Sequence, residues 1–317
     1  MEPSGFQLNK NKEENMEFIV TADWHLRASR PRCRIDEDWY KTQKKAVNQI
    51  KKIACEKNCN VAIVGDIFNS NTDTSFQTIQ IIQDFAKELA ENNLSCYILA
   101  GNHDLLYHSS ENIEKSAVGI LFNSENIYPI KDYFENPGSL GYAKVSYSAS
   151  NFDEEDNKDA EIVFKHVLCF PDAKSLPPNV DALTAKDLLS EFPNAKYIFT
   201  GDYHKNFHYE KNGRHVVNPG CLLRQASDFK DYQCGCYFVN TDKSLVEFIP
   251  IIDKEQFVDD SYILEQDERE QRIEKFVSKL KDTKNISLDF IDNVRNAIIS
   301  NNLNENIKNT IEELMEV

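Results

Sequence analysis

The chain has 317 residues, 41% of them hydrophobic, enough for one large domain or a domain with an appendage. Its net charge of −16, from 36 basic and 52 acidic residues, argues against a protein that coats nucleic acid through a broad basic face. No apolar run reaches the roughly 18 residues of a membrane span, and the polar start lacks the apolar stretch of a secretory signal, so a cytoplasmic location is expected.

Residues 17–22 read as a short buried strand running straight into Asp23-Trp24-His25. An Asp and a His two apart at a strand end point the same way, a spacing suited to metal ligation. Arg27, Arg30, Arg32 and Arg34 follow, a basic loop on an acidic chain, with Asp36, Glu37 and Asp38 near enough to neutralise it. Trp39, Ala46, Ile50 and Ile53 give residues 37–57 a helical period. A second strand, 61–64, ends in Gly65-Asp66, and a second amphipathic helix covers 74–92. Strand 95–100 then delivers Gly101-Asn102-His103-Asp104, a polar turn after an apolar run. Three such units in a row predict a parallel sheet with right-handed crossovers and ligands at its carboxyl edge.

A short helix is expected near 111–122, then a loop with Pro129, Pro137 and Gly138. Residues 141–149 alternate, and 161–168 read as a core strand with His166 set in it. A helix near 182–192 precedes a strand at 196–199 that ends in Gly201-Asp202-Tyr203-His204. Asn212-Gly213, between strand-like arms from Phe207 to Val217, signals a type I′ hairpin. Strands near 234–240 and 245–251 complete a second half expected to be largely antiparallel. His108, His208 and His215 have no motif around them and read as ordinary surface or hairpin residues. The eight cysteines are scattered, several within apolar strands, and read as free buried thiols; Cys234-Gly-Cys236 lacks a second Cys/His pair and is assigned no metal. Residues 255–317 are glycine-free and helical in pattern, with 15 acidic and 8 basic residues. The expected division is therefore a main domain over 1–254, which carries the strand-end motifs, and a helical tail over 255–317.

The strand-end residues, in order, are Asp23, His25, Asp66, Asn102, His103, His166, Asp202 and His204. Asp, Asn and His together suit a pair of hard or borderline divalent ions. The series resembles the calcineurin-like metallophosphoesterase superfamily, with its Asp-x-His, Gly-Asp, Gly-Asn-His, lone His and Gly-His-x-His motifs, over residues 17 to about 250. The resemblance implies an α/β fold, a four-layer αββα metallophosphoesterase sandwich with a two-metal centre between its sheets. It would give Asp23, His25 and His204 to one metal, Asn102, His166 and Asp202 to the other, and Asp66 to both. His103 would be no ligand but the catalytic residue that stabilises charge at the phosphate or protonates the leaving oxygen. Two such cations generate hydroxide at neutral pH and clamp the phosphoryl oxygens during in-line attack.

Asp202 stands where the superfamily usually has a histidine. A third carboxylate beside Asp23 and Asp66 brings the two-metal site with its hydroxide to formal neutrality, and ligand hardness then favours manganese or magnesium over zinc. Ala22-Asp23-Trp24-His25-Leu26, the arginine loop, Gly65-Asp66-Ile67-Phe68 and Val217-Asn218-Pro219-Gly220 lean toward the SbcD-like DNA nucleases and their phage relatives. That resemblance implies a manganese-dependent exo- or endonuclease acting on DNA, with an SbcC-like coiled-coil ATPase docked on the C-terminal helices, and leaves room for a homodimer; no membrane partner is expected. Arg27, Arg30, Arg32, Arg34 and Arg224 are the candidate phosphate or DNA contacts, and Trp24 is either wall packing or a base-stacking platform. The rival readings are a phosphatase or phosphodiesterase on small nucleotides and a non-catalytic scaffold with an altered metal site.

Overall fold

The computed structural model describes residues 16–70, 73–108, 110–130, 145–148, 160–178, 180, 182–251 and 258–259, with isolated positions beyond. Residues Met1–Asp259 form one compact unit and Asp260–Val317 another. In the second, the described positions Ser261, Arg272, Lys275, Val294, Ile298 and Ile307 are all helical. Among the described residues no helix is long and apolar enough to cross a membrane.

The first unit opens with β1 (Glu17–Thr21), α1 (Trp39–Lys57), β2 (Asn60–Val64), α2 (Phe76–Ala90) and β3 (Cys96–Leu99). Local chemistry sets the helix limits. Asp38 caps α1 by accepting from the Lys41 N–H, and Asn58 ends it in the left-handed region that amide side chains tolerate. Ser75 and Thr78 form a reciprocal capping box at the start of α2. The helix expected near 111–122 divides into a 3-10 turn, Ser110–Lys115, and α3 (Ala117–Phe122), before β4 (Ile127–Pro129). Pro137 and Gly138 of the expected loop lie outside the described residues.

The remaining elements are β5 (Val145–Ser148), β6 (Ile162–His166), β7 (Cys169–Phe170), β8 (Leu183–Thr184), α4 (Ala185–Glu191), β9 (Tyr197–Gly201), β10 (Phe207–Lys211), β11 (Arg214–Asn218), β12 (Gly235–Asn240) and β13 (Leu245–Pro250). They make two main sheets, in the orders β13-β12-β1-β2-β3-β4 and β10-β11-β9-β6-β5. β1, β2 and β3 are mutually parallel, as expected. β4, parallel to β3, corrects the loop expected at Pro129; as an edge strand it tolerates the proline. The second half corrects the expectation of antiparallel strands: β5, β6, β9 and β11 are parallel neighbours, and among the described residues only the β10–β11 hairpin runs antiparallel in that sheet. The segment from β6 to β9, with α4 in it, is the long crossover that parallel neighbours require. β12 then returns to the first sheet and pairs antiparallel with β1. The hairpin turn has Asn212 and Gly213 both at positive φ, 56° and 69°, as a type I′ turn demands.

Strand alternation sorts the apolar residues into layers. Ile19, Val61, Ile63 and Ile98 face α1 to α3, meeting Ile50, Ala54, Ile82 and Phe85. Their neighbours Phe18, Val20, Val64 and Leu99 face the second sheet, meeting Phe164, Phe199 and Val217. Phe18 and Phe199 pack edge to face at 5.4 Å. The outer face of the second sheet holds Val163, Ile198 and Val216 against Leu188 and Phe192 of α4 and its end. The order is therefore helices, sheet, sheet, helix.

Candidate metal centre

Each of the eight strand-end residues follows or ends a parallel strand at its carboxyl end, Asp23 and His25 after β1, Asp66 after β2, Asn102 and His103 after β3, His166 in β6, and Asp202 and His204 after β9. The first turns are stitched together by backbone: Asp23 N–H donates to the Gly65 carbonyl at 3.1 Å and His25 N–H to the Asp66 carbonyl at 2.9 Å. Asp23, His25, Asp66 and Asp202 all have positive φ, at 50°, 44°, 52° and 74°. Such conformations are costly for side-chain-bearing residues and cluster where geometry is functional. Gly65, at φ 84°, is forced: a Cβ there would overlap the His166 ring.

Asp66 lies at the middle of the group. Its Oδ2 is 3.3 Å from His166 Nε2 and 3.7 Å from His25 Nε2. On the far side of His25, the Nε2 of His204 is 3.0 Å from that of His25. On the other side, His166 Nε2 is 3.0 Å from Asn102 Oδ1. The ligand atoms of Asp23, His25 and His204 lie within 4.8 Å of one another, as do those of Asp23, Asp66 and His166 and those of His25, Asp66 and His103. The carboxylate of Asp202 belongs to none of these triads; Asp202 joins through its backbone N–H, which donates to Asp23 Oδ1 at 3.0 Å.

The donor set fits divalent ions on grounds internal to the fold. Among the described residues, buried Asp23 Oδ2 has no hydrogen-bond partner, and buried Asp66 Oδ2 has only imidazole nitrogens beside it, at 3.3 Å or more. Orphaned carboxylate oxygens at full burial are costly unless something positive meets them. Burial lifts Asp23 well above the ordinary carboxylate range, and Asp66 and Asp202 add to it. Burial opposes charge on Asp66 too, but His166, His25 and His103 hold it below that range. Burial lowers His25 to about 3 and lowers His204, leaving both rings neutral as ligands must be. His166 goes the other way: Asp66, Asp23 and Asp202 overcome burial and push it up to about 10, so a proton occupies the place an ion would take.

Several braces carry no motif of their own. Asp104, fully buried, accepts from the N–H groups of Gly101 at 2.9 Å, Phe68 at 2.9 Å and Ile67 at 3.2 Å, tying the Asp66 turn to the Asn102 turn. His103 N–H donates to Asp66 Oδ1 at 2.9 Å, and its Nδ1–H to the Asn69 carbonyl at 2.7 Å. Its ring meets that of His25 edge-on at 5.2 Å. Asn218 donates to the carbonyls of Tyr203 and Lys205, which hold the Asp202–His204 turn. Gln225 donates to the carbonyls of Trp24 and His25. Their sequence signal is weak: an acid closing a glycine turn and an Asn after a strand are both common.

The arginines separate. Arg34 is 1% exposed, grips Asp36 with Nε and Nη2 both at 2.7 Å, and lies over the Trp39 ring. Arg224 is buried, with Nη1 donating to the Lys230 carbonyl at 2.6 Å. Arg27 pairs with Asp73 at 2.9 Å. Arg30 and Arg32 are exposed, the former reaching the Asp36 carbonyl at 2.6 Å. Trp24 is fully buried, bonded to Thr21 Oγ1 and packed edge-on against Phe85, which makes it wall packing and removes the stacking-platform reading. All eight cysteines are free, seven of them buried. His215 corrects the sequence expectation of an ordinary hairpin residue: it is 2% exposed and stacked on Tyr197. The side chain of His108 lies outside the described residues.

The family model of the calcineurin-like phosphoesterases matches residues 16–216. No curated protein matches the chain in sequence. Among solved structures, the chain is similar to the protein TT1561 of Thermus thermophilus, at 11% identity and TM-score 0.42 over 75% of this chain and 99% of that one. It is similar to an archaeal phosphodiesterase at 15% identity and TM-score 0.39, over 74% and 100%. A dimetal phosphatase from Danio rerio gives 11% identity and TM-score 0.41, over 71% and 92%.

Proposed function

The chain belongs to the calcineurin-like phosphoesterase family, and from that membership we propose that it is a two-metal phosphodiesterase whose substrate is DNA, working with manganese. The observation that carries the two-metal reading is Asp66, whose buried Oδ2 lies 3.3 Å from His166 Nε2 and 3.7 Å from His25 Nε2. Asp23, His25 and His204 would hold one ion, Asn102, His166 and Asp202 the second, and Asp66 both. Divalent ions held there supply Lewis acidity for the phosphoryl oxygens and an activated water at neutral pH. His103 would do the proton work. Its Nδ1–H is committed to the Asn69 carbonyl, so an imidazolium would present its second proton, on Nε2, to the developing charge or the leaving oxygen.

The DNA reading is supported by the nuclease-like motifs around Asp23 and Asp66 and by the exposed Arg30 and Arg32. The same centre could serve a phosphatase or phosphodiesterase of small nucleotides, a reading that the net charge of −16 favours. With DNA as substrate, the helical tail is proposed as the dock of a coiled-coil ATPase and the location as cytoplasmic. The test is degradation of end-labelled linear DNA, single- and double-stranded, with manganese, magnesium or zinc, and Asp66→Ala in parallel. Manganese-dependent cutting that vanishes in the variant is expected. Intact DNA alongside hydrolysis of a generic phosphodiester would transfer the reading to small nucleotides.

A further inference from the structure

A second cluster of ligand-type side chains lies on the β10–β11 hairpin. His208 and Glu210 share one face of β10, and Glu210 stands directly across the ladder from His215 on β11. Their ligand atoms lie within 4.8 Å of one another. His208 Nε2 and His215 Nδ1 are 3.0 Å apart, and two nitrogens bound at about 2.0–2.1 Å to one tetrahedral ion stand roughly 3.3 Å apart.

His215 is the inner member of the group. It is 2% exposed, and Nδ1 is the nitrogen it turns toward His208. Tyr197 stacks on this ring at 5.0 Å and 11°, and the His208 ring stacks beside it at 5.2 Å. The edge of the His208 ring meets Tyr237 of β12, in the other sheet. Aromatic walls thus fix both rings, and burial keeps both neutral with their lone pairs available.

We propose that His208, Glu210 and His215 form a second metal site, separate from the phosphoesterase centre, that takes zinc or a similar borderline divalent ion. Two neutral imidazoles and one carboxylate are a three-ligand zinc set with water as the fourth ligand. The ion would take the place of the N–H between the two rings, whose proton moves to the other nitrogen of the same ring, so that both imidazoles stay neutral. It would also pin β10, the edge strand of its sheet, where the two sheets meet.

The test counts ions on the full chain, stripped with chelator and reloaded with cobalt or zinc. Asp66→Ala, which empties the phosphoesterase centre, is expected to retain one ion, with the intense visible absorption of four-coordinate cobalt. Adding His208→Gln or Glu210→Gln, both at exposed positions, should remove that ion and its absorption. In the otherwise unchanged chain, His208→Gln should lower the count by one and leave phosphoesterase activity intact. An Asp66→Ala protein that binds no ion, or a His208→Gln protein with an unchanged count, would overturn the proposal. Because the single variant keeps Asp66, it reads this site even where the Asp66→Ala protein is poorly folded.

Discussion

His166 and Val64, the last residues of β6 and β2, are joined across the two sheets by one hydrogen bond, His166 Nδ1–H to the Val64 carbonyl at 2.8 Å. That bond fixes which nitrogen faces Asp66 and Asn102. It also means that the Nε2 proton is the one displaced when an ion binds.

Ion uptake should therefore release a proton at neutral pH, because His166 is held at about 10 by Asp66, Asp23 and Asp202 against burial. Calorimetry in two buffers of different ionisation enthalpy should give different apparent heats; identical heats would contradict it. The stability sign follows from a folded value above the free value of 6.5. The charge stabilises the ion-free fold fully below that value, and the stabilisation fades as pH rises toward 10. The thermal midpoint of the ion-free protein should fall over that window, and His166→Asn should flatten the fall.

His103→Ala should lower turnover by about 10²–10⁴-fold, the usual worth of a positioned acid or base. Metal content should stay near normal, because its anchor is the Asn69 carbonyl and its proposed role is toward the phosphate. Loss of bound metal in this variant would make it a ligand instead.

Asp104→Ala strands three buried N–H groups, on Gly101, Phe68 and Ile67. At about 1–3 kcal/mol for each orphan, the loss is several kcal/mol. For a unit of this size the low end alone, about 3 kcal/mol, is roughly 6–12 °C in thermal midpoint. Asp104→Asn keeps an acceptor oxygen and should lose about half as much. A shift under about 2 °C for the alanine variant would show that the turns are held some other way.

Arg34 and its neighbours should part company. Arg34→Ala leaves Asp36 buried without its partner and should cost about 3–5 kcal/mol in urea unfolding. Arg30→Ala with Arg32→Ala should leave stability within about 0.5 kcal/mol. If these two meet phosphate, the double variant weakens DNA binding and lowers the slope of log affinity against log salt by about one per contact. An unchanged slope would place the DNA elsewhere.

The strand-end residues were legible because each is a polar residue at the end of an apolar run, and Asp23, His25 and Asp66 stand where the chain turns sharply enough to need positive φ. The units β1 to β3 were legible for the same reason, with helical periods between them. The direction of the later strands was not. Period-two alternation is the same for either direction, and the crossover through α4 was needed to settle it. Nor does sequence show that Asp36 faces inward and takes Arg34 with it, or that Tyr197 comes to lie on His215. Those contacts join residues from different elements and leave no local pattern.

The pairing of β1 with β12 makes assembly of the phosphoesterase centre a late event in synthesis. Glu17 meets Asn240, and Val20 meets Tyr237, so one flank of β1 stays open until most of the first unit has left the ribosome. At about 5–20 residues per second that interval is many seconds. Asp23, two residues past β1, accepts from the Leu222 N–H through its own carbonyl and also needs the Asp202 turn. A nascent chain holding only β1 to β4 has Asp23, His25, Asp66 and Asn102 but neither His166 nor His204. Hydrolytic competence is thus withheld from the growing polypeptide until both halves are present.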